Sequence, residues 1–125
     1  MSDELVADRQ GYQRALDAAY RAREKTQPSG QSYIDYWIGR LKFGIGYLNM
    51  IASVRRAAIA EAEGKPVDAI QNAETALVTA REALEAYADV VRDQSDRGAI
   101  AVMNEYVYRP LKEKISALQK GAQSA

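Results

Sequence analysis

Residues able to carry acid–base, nucleophilic or metal chemistry are scarce in this chain, and what is missing narrows the field first. Among 125 residues there is no histidine and no cysteine. That removes the commonest general base and the commonest transition-metal ligand, together with thiolate sites and disulfides. Di-iron bundles built on Glu-x-x-His pairs, phosphorelay domains and His-ligated haem bundles are excluded with them. The carboxylates offer little more. Glu61 with Glu63, and Glu82 with Glu85, read as exposed helical pairs, whereas glycoside hydrolysis needs two carboxyl groups across one cleft. Asp89, Asp93 and Asp96, with Ser95 and Gly98, imitate the opening of a calcium loop. Arg97 and Asn104 stand where that loop needs its fifth and twelfth ligands, so helix capping is the simpler reading of these acids. The expectation is a chain without catalytic residues, bound metal or cofactor.

What remains is recognition chemistry. The chain holds eight tyrosines, one tryptophan and one phenylalanine. Tyr33, Tyr36, Trp37 and Tyr47 cluster, and Tyr106 and Tyr108 lie in the stretch 104–110. Amphipathic rings suit surfaces with one dry and one wet side, and they also stack on sugars. Packing within a helical core is the plainer reading. Arg40 and Arg55 fall inside the apolar arc of the same segment, where a buried guanidinium needs a carboxylate. A structural bridge to Glu105, Glu82 or an acid on the first helix is the simpler expectation, and a site for an anionic ligand the sharper one.

These residues must be positioned by helices. The stretch from Tyr33 to Ile59 has no proline, and at about 100° per residue it shows two apolar rows. One holds Ile34, Ile38, Leu41, Ile45, Leu48, Ala52 and Ile59; the other, roughly opposite, holds Tyr33, Tyr36, Phe43, Tyr47, Met50, Val54 and Ala57. Only the strip Asp35, Gly39, Lys42, Gly46, Asn49, Ser53 and Arg56 looks polar or bare. A helix apolar over most of its circumference belongs at the centre of a bundle, with neighbours on several sides. It is predicted over 32–63, capped by Ser29 or Ser32 after the Thr26–Gln31 break and stopped at Gly64, with glycines 44 and 46 as a place to bend.

Three further helices are predicted around it. The first covers 3–25, with Leu5, Tyr12, Leu16, Ala19 and Arg23 on one face. The third covers 66–92, opened by Pro66, with a heptad seam of Ile70, Ala73, Leu77, Ala80, Leu84, Tyr87 and Val91. The fourth covers 96–119, with Ile100, Met103, Val107, Leu111, Ile115 and Leu118 on its core side and a kink at Pro110, followed by a frayed tail. The predicted fold is an all-α, antiparallel four-helix bundle, one domain over 1–125 with a long central second helix.

Bulk composition excludes several function classes. Lys+Arg and Asp+Glu number 17 each, so no net positive field recruits nucleic acid or anionic lipid. Charges interrupt the apolar stretch too densely for a membrane span. The first residues carry charge where a signal peptide needs an apolar run, so the chain as given reads as soluble and cytoplasmic.

Two segments carry a resemblance to a known family: Tyr36–Trp37 through Gly46–Tyr47–Leu48, and the run from Asp93 to Leu111. Together they resemble the helical bundle that follows the catalytic barrel in some large bacterial polysaccharide-active glycoside hydrolases, over about residues 33–118. The resemblance implies an accessory module that packs on a neighbouring domain or subunit and supplies no catalytic residue.

The expected function is therefore a non-catalytic helical module for packing against a protein partner or another copy of itself, in a carbohydrate-processing setting. The alternative is a small-molecule or sugar-binding bundle using Tyr33, Tyr36, Trp37, Arg40, Tyr47, Tyr106 and Tyr108 around a cavity bordered by Gly39 and Gly46. On the assembly reading these glycines admit a helix from another chain, and Gly46→Leu abolishes dimers without unfolding the monomer. On the ligand reading they clear room for the ligand.

Overall fold

The computed structural model describes residues 3–90, 97–98, 101–102 and 104–124. They form α1 (Asp3–Lys25), α2 (Pro28–Ala62), α3 (Pro66–Ala88), a π-helical turn (Asn104–Tyr108) and α4 (Arg109–Ser124). Arg97–Gly98 and Ala101–Val102 are helical too. There is no strand among the described residues, so the chain is an all-α bundle. No described helix is long and apolar enough to cross a membrane.

The turns follow from local chemistry. Asp3 and Glu4 open α1, and Arg23 and Lys25 close it, each favourable to the helix dipole. The break after α1 is only Thr26 and Gln27, much shorter than expected, and α2 starts at Pro28 rather than Ser32. Proline at the first helical position forfeits no hydrogen bond, because the amide there has no partner inside the helix. Neither Ser29 nor Ser32 caps, since both already lie inside α2. At α2's other end the prediction holds. Gly64 has φ +72°, its amide donates to Glu61 at 3.1 Å, and that of Lys65 reaches back to Ala60 at 2.8 Å. This is the Schellman arrangement, for which glycine is the natural residue.

The 35-residue α2 runs unbroken through glycines 44 and 46. It lies between α1 and α3, whose backbones stay apart from one another. Its contact with α3 is made of the smallest side chains. Gly39, Gly46, Ser53 and Ala60 recur every seventh residue on α2, and Ala69, Ala76 and Ala83 do so on α3; Ala73 and Ala80 sit beside them, and all but half-buried Gly46 are buried. A methyl built on Gly46 would lie 2.6 Å from the Ala83 Cβ, and one on Gly39 would lie 2.9 Å from the Ala86 carbonyl oxygen. Partners descend along α3 as they ascend along α2, ending with Arg56 donating to Asn72 at 3.3 Å.

This corrects two expectations. Gly39, Gly46 and Ser53, three members of the strip taken for polar or bare, form the helix–helix seam, with the Ser53 hydroxyl accepting from Arg56 at 3.0 Å. On α3 the buried face is the alanine stripe plus Tyr87, while Ile70, Leu77 and Leu84 are half-buried beside it. Val91 and Arg92 lie outside the described residues, and α3 ends at Ala88.

The lower half of α2 and α3 is covered by α4. Ile115 packs with Ala57 and Ala73, joined by Leu77 and Leu111. Val107 and Tyr108 close over Met50, Ala76 and Ala80. Lys114 pairs with Glu61 at 2.9 Å, and Gln119 donates to Glu74 at 3.0 Å, fastening α4 to both neighbours. The ladder passes through a π turn just before Pro110, where the imino nitrogen has no hydrogen to donate, and α4 continues past the expected end at residue 119 to Ser124. Ile100, Met103 and the expected cap, Ser95 or Asp96, lie outside the described residues.

At the opposite end, Arg23 of α1 donates to Asp35 of α2 at 2.6 Å. That hydrogen bond, with the positive charge behind it, holds the Asp35 carboxyl below the ordinary aspartate range, against the partial burial that would raise it. A lowered folded pKa stabilises above the unfolded value and stops doing so as pH falls through the folded one. The stability gap between wild type and Asp35→Asn should be full above about pH 4 and close as the solution is acidified below it. Urea denaturation of both proteins at neutral and strongly acidic pH measures this. A gap that persists in acid would mean that the pair does not act through its charge.

Candidate functional site: an aromatic groove on the second helix

The backbones of α1 and α3 flank α2 without approaching each other, and the exposed surface of α2 between them forms a groove. Helical spacing decides what lines it. Tyr36 and Arg40 are four apart, Trp37 and Arg40 three, Phe43 and Tyr47 four, so their side chains share one side of the cylinder. On that side α1 contributes Asp8 and Tyr12, and α3 contributes Tyr87. Gly44 forms the floor. Its missing side chain lets the Tyr12 ring settle where a Cβ would be 2.7 Å from a ring carbon. The groove encloses about 520 Å³.

Tyr33 and Tyr36 lie beside the groove, against its Trp37, and the ring geometry here is largely edge-to-face. Tyr36 meets Trp37 at 5.8 Å between centroids with planes at 80°, Tyr33 meets the same indole at 6.4 Å and 76°, and Phe43 meets Tyr87 at 5.1 Å and 63°. Phe43 and Tyr47 stack at 6.4 Å. Tyr87 is buried, whereas Trp37 is 41% exposed, Tyr33 60% and Tyr47 37%. The second apolar row of α2 is thus only partly covered, a correction to the picture of a helix enclosed on all sides.

Arg40 is exposed, and no carboxylate of the described residues pairs with it. Its guanidinium lies over the rings of Tyr36, Trp37 and Tyr87 instead. Arg55 is exposed as well, and Glu105 pairs with Arg109 at 2.8 Å. The bridges expected for these two arginines are therefore not formed. Helical spacing presents Arg40 to nearby rings and Arg55 to water.

Of the residues singled out from sequence, the structure brings together Tyr33, Tyr36, Trp37, Arg40 and Tyr47. It places the other three elsewhere. Gly46 faces Ala83 in the seam, so neither Gly39 nor Gly46 borders the groove. Tyr108 packs beneath the π turn and borders a separate hollow with Arg81 and Leu84. Tyr106 projects into solvent, 75% exposed. Phe43, Tyr87, Tyr12 and Asp8 complete the site and were not anticipated in that role. Asn49, Lys42 and Gln13 line a second cavity of about 420 Å³ on the other face of α2, with Thr79 and Glu82 of α3 opposite.

The described lining of the groove offers rings, the Arg40 guanidinium and the Asp8 carboxylate. Compared with protein-family models, curated proteins and solved structures, the chain finds no match.

Proposed function

We propose that this chain is a non-catalytic helical binding module and that the aromatic groove is its working surface, docking a protein partner or a second copy of the chain. The observation that carries this reading is the partly exposed pair Trp37 and Tyr47 in one groove with a guanidinium that has no acid partner among the described residues, with exposed Tyr33 against the same indole. Trp, Tyr and Arg are enriched among the residues whose truncation costs most at protein interfaces. Trp and Tyr bury large area with few rotatable bonds, and Arg brings a planar guanidinium that stacks on rings and donates several hydrogen bonds. The likeness to accessory bundles of polysaccharide-active hydrolases points to a setting in carbohydrate processing.

Light scattering across a concentration series tests self-assembly. The expected result is a mass above the 13.8 kDa of one chain, returning to one chain in Trp37→Ala. A wild-type protein that stays at the single-chain mass throughout would overturn the self-docking form. The groove's volume favours a second reading, since pockets for small ligands span about 300–1,000 Å³. A small saccharide or other compact ligand fits that scale, and Trp37, the chain's one tryptophan, would report it by fluorescence.

A further inference from the structure

Three rings converge on the Arg40 guanidinium. Its central carbon lies 5.8 Å from the Tyr36 centroid, 5.4 Å from Trp37 and 6.0 Å from Tyr87. Tyr36 and Trp37 follow from helical spacing alone. Tyr87 does not, since it comes from α3, is buried, and is braced by Phe43 from the side. The ring planes of Tyr36 and Trp37 stand at 80° to one another. Two walls at right angles and a third from a neighbouring helix make a box whose electron-rich faces favour a cation.

We propose that Tyr36, Trp37 and Tyr87 form a cage for a soft organic cation, that Arg40 occupies it in the free protein, and that the ligand class is a small quaternary ammonium compound. This rests on the reading of the groove as a binding surface. The chemistry selects the ligand. A primary ammonium is strongly hydrated and loses that water on entering a ring-lined box, whereas a quaternary ammonium spreads its charge over methyl groups and has few hydrogen bonds to lose. An anion would meet the negative ring faces, and among the described residues the cation that lies over all three, Arg40, is already held there. Asp8 adds a carboxylate to the same groove. The Arg40 guanidinium already lies within reach of all three rings, and withdrawing it leaves their faces open to a cation from the groove.

Choline and its neutral tert-butyl analogue are the probes, titrated against the full chain with Trp37 fluorescence as the readout. In Arg40→Ala, choline should bind saturably, about tenfold more tightly than to wild type, and the neutral analogue should not saturate. Arg40→Gln, which keeps most of the stem, should show the same order. Circular dichroism confirms that each variant is folded, as expected for a change at an exposed side chain. Equal response to choline and its analogue in both variants sinks the cage, and equal choline affinity in wild type and variants sinks the role of Arg40 as occupant. Binding to phosphatidylcholine vesicles without binding to free choline would also overturn the proposal in favour of a lipid surface. Light scattering on the same samples separates the two levels. If choline fails while Trp37→Ala still dissociates the assembly, the cage is wrong and the docking groove stands.

Discussion

Gly46→Leu is expected to lower stability by about 3 kcal/mol, the upper part of the range for forcing extra volume into a packed core. Its first added carbon would lie 2.6 Å from the Ala83 Cβ, which forces the helices apart even where the remaining three carbons turn toward the neighbouring cavity that Gly46 borders. Neither helix can move aside cheaply, since α2 and α3 share this spacing along their whole contact and α4 is fastened across both. Higher helix propensity recovers up to about 1 kcal/mol, which is too little to reverse the sign. The substitution therefore tests the fold, and it cannot separate dimerisation from ligand binding as the pattern alone had suggested. Gly44→Ala is the control. Its neighbour is the ring of Tyr12, which is 41% exposed and free to swing outward, so the expected change is within about 1 kcal/mol of wild type. Urea denaturation followed by circular dichroism compares the three proteins, and equal losses at Gly44 and Gly46 would refute the seam.

The second large effect is at Tyr87. Tyr87→Ala should cost about 3–4 kcal/mol, as expected for deleting a buried aromatic side chain. The ring is 4% exposed, braces Phe43 and forms one wall of the groove. Tyr87→Phe keeps the volume and both ring contacts and should recover most of the loss. The same denaturation experiment decides it, and a Tyr87→Ala protein as stable as wild type would mean that the ring is not part of the core. Because Tyr87 is the one ring of the trio contributed by α3, its removal should also loosen the Arg40 guanidinium and move the Trp37 emission.

These sites show why some of the architecture was legible in the sequence and some was not. The aromatic cluster was visible because spacings of three and four put Tyr33, Tyr36, Trp37 and Arg40 on one side of a helix whatever packs against it. Tyr12 and Tyr87 were not visible as its partners, since their arrival depends on how α1 and α3 are set against α2. The seam was misread for a different reason. Apolar pattern marks where side chains bury area, but helices approach most closely where side chains are nearly absent, and Gly39, Gly46 and Ser53 look bare or polar on that measure. The early start of α2 was legible in principle, because the rule that placed Pro66 at a helix start applies equally to Pro28.

The seven-residue recurrence along the seam carries one more consequence. Sliding α3 along α2 by one heptad, about 10 Å at 1.5 Å per residue, would again set small side chains against small ones. The contact surface is a rail that guides direction and distance of approach but is nearly blind to position along its length. Position is set at the end of the rail, by the turn through Gly64, where two hydrogen bonds leave almost no slack. In this helix pair the alignment of Tyr87 with the α2 side of the groove is thus governed in part by a connection that touches none of those residues.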